Sequence, residues 1–227
     1  MNLYLANGVT TIRDLNALDE NGSYPRQLQE DIRAGWRVGP TIYTSSEKLD
    51  ASPLGDPEGL VRQNHEQGYD LLKVYAYLSV DDFQAAMREA KKLGIYTTGH
   101  IPYAVGLEGV LAEGMDEIAH TEELVWEFFE IDRGSQLSAE EWGAYLFQAV
   151  LQNIDLNSSN PLAEFEIENQ SILGNLANQL RTTGISVCTT IDIAETDRMK
   201  LFQPEAFLAR PENRYLDPRY LEKRFHS

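Results

Sequence analysis

The sequence predicts an α/β protein built around a parallel sheet, and three observations support this prediction. Short segments rich in β-branched residues alternate with helical segments, and glycines stand where the helices end. The segment 68–77 is apolar on both faces, as strands are when helices cover both sides of a parallel sheet. The order strand, helix, glycine and strand repeats every 20 to 30 residues or so, a spacing typical of βα units.

Six segments are predicted to be strands, at residues 9–15, 41–45, 68–77, 95–100, 116–120 and 185–193. A turn-rich loop is expected over 49–57, because it contains two prolines and a glycine. A helical insertion is expected over about 122–180, with Ser138 capping one of its helices. It either forms a lid over a site or only adds packing. We expect one domain over 1–227 that ends in an irregular tail, 194–227.

The charge of the chain argues against two classes of partner. The 227 residues carry a formal net charge of −17, and no run rich in lysine and arginine is present. Nucleic acid and anionic membrane surfaces are therefore not expected partners, and a small-molecule substrate is. No apolar run approaches the 18 residues of a membrane span. The single cysteine, Cys188, cannot form an internal disulfide, so the sequence leaves the compartment open.

Three residues with metal-site chemistry follow one another on consecutive predicted strands. Lys73 lies within a buried strand, where an unpaired ammonium group costs several kcal/mol. His100 and His120 lie near the carboxyl ends of the next two strands, where parallel α/β folds place their active sites. Two imidazoles and an anionic oxygen suit zinc, whereas a charged ammonium offers no lone pair. Tyr75, on the same strand face as Lys73, is expected either to touch substrate or to pack in the core.

Five segments resemble those of metal-dependent amidohydrolases, in the imidazolonepropionase-like and prolidase-like branch. They are Leu-Ala-Asn-Gly-Val-Thr-Thr-Ile-Arg-Asp at 5–14, Gly-Pro-Thr-Ile-Tyr at 39–43, Gly-Tyr-Asp-Leu-Leu-Lys-Val-Tyr at 68–75, Gly-His-Ile-Pro at 99–102 and Ile-Ala-His-Thr-Glu at 118–122. The resemblance implies a (β/α)₈ barrel and a site with two divalent ions, normally zinc. It implies that Lys73 is carboxylated and bridges the ions, and that His100 and His120 bind one of them.

The sequence also departs from the family pattern. That pattern includes a His-x-His pair on the first strand and an aspartate on the eighth, and neither is found here. His65 is predicted to be a surface residue of a helix, and His226 a residue of a disordered end. Asp192 is a weak candidate for the aspartate, and Asp14 either orients a ligand or caps a turn. We therefore expect strands two to seven of an eight-stranded barrel, truncated at both ends.

The resemblance implies hydrolysis of carbon–nitrogen bonds other than internal peptide bonds, in cyclic amides or dipeptide-like substrates. This chain by itself is expected to bind zinc weakly or not at all and to be inactive, since ligands for the second ion and the proton shuttle are missing. Two alternatives stay open. The chain could serve as a non-catalytic binding module, or as a lyase or aldolase in which Lys73 forms a Schiff base.

Overall fold

The computed structural model describes residues 1–16, 24–45, 47–134, 137–155 and 157–215. The chain divides into two compact units, Met1–Cys188 and Thr189–Ser227. His226 lies outside the described residues. Among those described, no helix combines the length and the apolar character needed to cross a membrane.

The first unit contains parallel strands, which confirms the predicted α/β class. The strands are β1 (Thr11–Asp14), β2 (Thr41–Thr44), β3 (Leu49–Ala51), β4 (Leu71–Tyr77), β5 (Tyr96–Gly99), β6 (Glu117–Ile118) and β7 (Ser186–Val187). One sheet has the order β3-β4-β5-β6-β7, and β1 pairs with β2 in a second. All pairings are parallel, and an isolated bridge between Ser45 and Leu71 links the second sheet to β4.

The prediction of a turn-rich loop over 49–57 was wrong at its start, where β3 forms. Leu49 pairs with Val74 and Ala51 with Tyr77, so β3 lies beside the second half of β4. The lower half of β4 is reached by the bridge from Ser45. β2 and β3 therefore lie one after the other along the same edge of β4. The sequence did not predict this arrangement.

Helices connect the strands of the first unit. They are α1 (Asn2–Ala6), α2 (Tyr24–Arg33), α3 (Pro57–Glu66), α4 (Val80–Leu93), α5 (Gly106–Ala112), α6 (Ala139–Asn153), α7 (Pro161–Glu168) and α8 (Gln170–Thr183), with a 3-10 helix at Thr121–Phe128. Ser79 caps α4 by accepting from the Asp82 amide. Ser138 caps α6, as predicted, and does so in a full capping box.

Apolar side chains of β4 pack against α4 and form the centre of the core. Leu72 and Val74 point away from Lys73 and are fully buried, as are Phe83 and Met87 of α4. Burial of one such large side chain stabilises the fold by about 2 kcal/mol. The alternation along β4 thus places an apolar layer on one face and leaves Lys73 on the other.

The face of the sheet that carries Lys73 is concave. The Arg13 guanidinium of β1 lies 2.8 Å from the Glu117 carboxylate of β6. β2, β4 and β5 separate these two strands, so in a flat sheet they would be about 19 Å apart. An arginine and a glutamate side chain cannot span that distance, so the strands must curve around a shared interior.

The second unit is helical, with α9 (Ile191–Phe202), α10 (Pro204–Leu208) and a 3-10 helix at Pro211–Tyr215. The predicted strand 185–193 was too long, because only Ser186–Val187 is extended. Thr190 has φ +46°, which turns the chain before α9 begins. Asp192 consequently lies in the first turn of α9, where a carboxylate suits the helix dipole, and not on a strand. The described part of the tail predicted as irregular, 194–215, is largely helical.

Candidate metal centre

The structure brings Lys73, His100 and His120 to neighbouring positions on three adjacent strands. Lys73 pairs in register with Thr98 of β5, and His100 follows the end of that strand. Strand-like hydrogen bonds continue past the strand end, since the His100 amide donates to the Val74 carbonyl at 3.0 Å. Gly99 allows this approach, because a Cβ there would lie 2.0 Å from the Val74 carbonyl oxygen. His120 comes two residues after β6.

The two imidazoles are close to each other, and one of them is held by a buried carboxylate. The ring centroids of His100 and His120 are 4.7 Å apart, and both side chains are mostly buried. The Nδ1 atom of His100 lies 2.5 Å from Oε1 of Glu123, which is itself 5% exposed. This contact fixes the orientation of the ring and leaves Nε2 for another partner, the usual arrangement of a metal-binding histidine.

His120 is suited to bind a metal ion as a neutral imidazole. Burial lowers the pKa of His120, and the nearby His100 and Lys73 lower it further. The neutral ring is the form that offers a lone pair to a metal ion. His120 is therefore largely deprotonated at neutral pH.

Lys73 is a buried amine that lacks a close anionic partner. Its residue is 4% exposed, and no hydrogen bond or ion pair joins its Nζ to any residue that the structure describes. Burial lowers the pKa of Lys73 to about 8, although the charges of Glu123 and Glu117 act in the opposite direction. An appreciable fraction is therefore the free amine near neutral pH, which is the form able to take up carbon dioxide.

Glu117 is one of the two carboxylates whose charge acts on Lys73, and other groups bind its carboxylate. Thr98 donates to one carboxylate oxygen at 2.9 Å, and Arg13 donates to the other at 2.8 Å. Burial raises the pKa of Glu117, but the hydrogen bonds from Arg13 and Thr98 outweigh this and lower it overall. Glu117 therefore stays ionised and paired with Arg13.

These residues fit one divalent ion only if Lys73 supplies an oxygen. The described residues contain no cluster of three histidine, cysteine or carboxylate side chains that could hold a metal. Two imidazoles alone fall short of the three or four protein ligands that zinc takes. A carbamate on Lys73 would provide the missing anionic oxygen and would also remove the cost of the buried ammonium.

Of the other described residues singled out in the sequence, His65 and Asp14 have no contact with the centre, whereas Tyr75 lies beside His100. His65 is exposed on α3, as predicted. The Asp14 carboxylate accepts from the Asn16 amide at 3.1 Å, so it caps the turn after β1. Tyr75 is half-buried, with its ring centroid 4.2 Å from that of His100.

The sequence reasoning missed Glu123, Glu117 and Arg13. The only signal for Glu123 is an acidic residue three places after a strand-end histidine, and Glu117 stands as a charge inside a predicted strand. Arg13 could not have been assigned to Glu117 from the sequence, because 104 positions separate them.

Solved structures of hydrolases resemble this chain. A candidate prolidase from Bifidobacterium longum is 28% identical over 52% of the chain, with a TM-score of 0.44. Bottromycin amidohydrolase is 26% identical over 65% of the chain, with a TM-score of 0.48. The chain resembles amidohydrolases and prolidases. The chain spans 34% of the length of the Bifidobacterium longum structure and 34% of that of bottromycin amidohydrolase. A Xaa-Pro dipeptidase structure with bound methionine is 16% identical over 79% of the chain, with a TM-score of 0.44.

No protein-family model matches the chain, and neither does any curated protein.

Replacing Glu123 by glutamine is expected to weaken zinc binding 10- to 100-fold, the usual effect of losing a carboxylate behind a metal-binding histidine. The amide keeps the size of the side chain but loses the charge that holds the His100 ring. Equilibrium dialysis against zinc, with exposed Glu108→Gln of α5 as the matched control, measures the effect. Equal affinity of the Glu123→Gln variant and the parent chain would show that the contact does not orient His100.

Stability should depend on pH through Lys73 when metal and carbon dioxide are excluded. Because its folded pKa of about 8 lies below the ordinary 10.5, the unfolded chain binds more protons between these values. Unfolding therefore takes up a proton, and the free energy of unfolding rises as pH increases from 8 to 10.5, by up to about 3 kcal/mol. The gain is lost as pH falls toward 8. Urea unfolding of the parent chain and of Lys73→Met across this range isolates the effect, and parallel curves would refute it.

Proposed function

We propose that the chain is part of a metal-dependent hydrolase of the amidohydrolase superfamily. In this proposal Lys73, as a carbamate, holds a divalent ion together with His100 and His120, and the ion is zinc. The observation that supports it most strongly is the buried, unpaired Lys73 amine beside two strand-end imidazoles. A structural lysine in such a buried position would be expected to form an ion pair, and this one forms none with the residues that the structure describes.

A divalent ion bound by these residues would promote hydrolysis by lowering the pKa of water and polarising a substrate carbonyl. The chain's own residues have distinct tasks. Glu123 holds the His100 ring in place, and the ion pair of Glu117 with Arg13 keeps a competing carboxylate away from Lys73. The lowered pKa values of Lys73 and His120 favour the forms that lack the proton that would repel a cation.

The reaction that fits this centre is hydrolysis of a carbon–nitrogen bond in a small molecule, such as a cyclic amide or a dipeptide-like compound. The family site holds two ions, and the residues brought together here provide ligands for one. We propose that the 227-residue chain binds about one zinc ion and does not turn over substrate by itself.

Zinc titration in the presence of bicarbonate tests the proposal, followed by an assay of the loaded chain against dipeptides and cyclic amides. We expect about one ion per chain and no hydrolysis. Hydrolysis of a dipeptide would contradict the proposed inactivity. Failure to take up zinc would contradict the metal centre and would favour a non-catalytic binding module.

A second candidate function is supported by the lowered pKa of Lys73. A lysine with a pKa of about 8 is also suited to attack a carbonyl group and form a Schiff base. Treatment with borohydride in the presence of a small aldehyde or keto acid would then label Lys73 irreversibly. Labelling that zinc and bicarbonate do not suppress would favour this candidate over the hydrolase.

A further inference from the structure

A row of aromatic side chains leads away from the candidate metal centre. This aromatic wall consists of Tyr75, Tyr77, Tyr103 and Trp126, all half-buried. Starting from His100, successive ring centroids are 4.2, 6.1, 5.7 and 5.9 Å apart. These contacts join the four rings into a continuous row that begins beside His100.

The tyrosine hydroxyls of the wall have no hydrogen-bond partner among the residues that the structure describes. They are also not enclosed, since Asn16 and Arg26 are the described residues with fully buried, unpartnered side-chain atoms. By contrast, the Tyr145 hydroxyl forms a hydrogen bond, since it accepts from the Asp132 amide at 2.7 Å. A half-buried hydroxyl without a partner is available to a ligand that brings a hydrogen-bond acceptor.

A cation stands over the inner end of the wall. The Lys48 ammonium lies 3.7 Å from the ring centroid of Tyr75, and its side chain is 23% exposed. Its carboxylate partner, Asp50, lies 3.2 Å away with a side chain that is 52% exposed. An ion pair with so exposed a partner contributes little free energy, so an anionic ligand could replace Asp50 at low cost.

We propose that the aromatic wall and Lys48 form a binding site for an aromatic amide that carries a carboxylate. The ring of the ligand packs on Tyr77, Tyr103 and Trp126, and its carboxylate pairs with Lys48. The hydroxyl groups of the tyrosines donate to the ligand's oxygens. Naming this ligand a substrate rests on the proposed function, whereas its binding does not require a metal.

Isothermal titration of the chelator-treated chain tests the site with three matched probes. N-Benzoylglycine carries both the ring and the carboxylate, N-benzoylglycinamide lacks the charge, and N-acetylglycine lacks the ring. We expect N-benzoylglycine to bind most tightly of the three. Lys48→Met should reduce its affinity to that of the amide, and Tyr103→Phe, which removes one hydroxyl, should weaken it about fivefold. Tyr4→Phe, at an exposed tyrosine of α1, is the control and should bind as the parent chain does.

The site would be ruled out if N-benzoylglycine and its amide bound equally, if Lys48→Met bound as tightly as the parent chain, or if no probe bound. The same titration with Lys73→Met separates this inference from the proposed function. If Lys73→Met still binds N-benzoylglycine, the aromatic site is supported. This holds even if the parent chain takes up no zinc and the proposed metal centre is thereby contradicted.

Discussion

Replacement of Lys73 by methionine is expected to abolish zinc binding, with a loss of affinity greater than 100-fold. Methionine fills a similar volume and is at ease in a buried strand, so the fold should persist or become more stable. What disappears is the nitrogen that carries the carbamate. His100 and His120 remain, but two imidazoles are too few ligands for a zinc site.

Equilibrium dialysis with zinc and bicarbonate measures this loss, and Lys91→Met is the matched control. Lys91 is an exposed lysine of α4, so its replacement should leave zinc affinity unchanged. Circular dichroism of both variants confirms that the fold is retained. If Lys73→Met bound zinc with the parent's affinity, Lys73 would not be a ligand of the ion.

Phe83→Ala is expected to lower the free energy of unfolding by about 3 to 5 kcal/mol. Phe83 lies on α4 with no exposed surface, within the core cluster that also includes Leu72 and Val74 of β4. Removing the ring leaves a cavity against the strand that carries Lys73. Because domains are stable by only about 5 to 15 kcal/mol, a loss of this size should unfold much of the chain at moderate temperature.

The exposed Phe147 of α6 provides the control for this substitution. Its side chain is 64% exposed, so Phe147→Ala should change stability by less than about 0.5 kcal/mol. Urea unfolding followed by circular dichroism compares the two variants. Equal destabilisation by both would mean that α4 does not pack on β4 as described.

The sequence was a good guide wherever local chemistry decides the structure. Ser138 caps α6 as predicted, and Gly94 ends α4 in the left-handed conformation that favours glycine. β4 was recognisable because both of its faces are apolar. The tail beyond 193 was not recognised as helical, because its prolines suggested breaks, whereas Pro204 and Pro211 begin helices.

The candidate site was predictable only in part, for a physical reason. Lys73 lies within β4, and His100 and His120 lie just after β5 and β6, so their proximity follows from the parallel order of consecutive strands. The contact between Arg13 and Glu117 depends on how the whole sheet curves, and no local pattern encodes that curvature. Glu123 was missed because the chain turns back after His120 through a 3-10 helix, which the sequence did not reveal.

Carbon-13 NMR of the chain incubated with labelled bicarbonate and zinc tests the carbamate on Lys73 most directly. We expect one slowly exchanging carbamate resonance in the parent chain, which appears together with zinc uptake and is absent from Lys73→Met. Zinc bound without a carbamate resonance, or the same resonance in Lys73→Met, would contradict the assignment of Lys73 as a metal ligand.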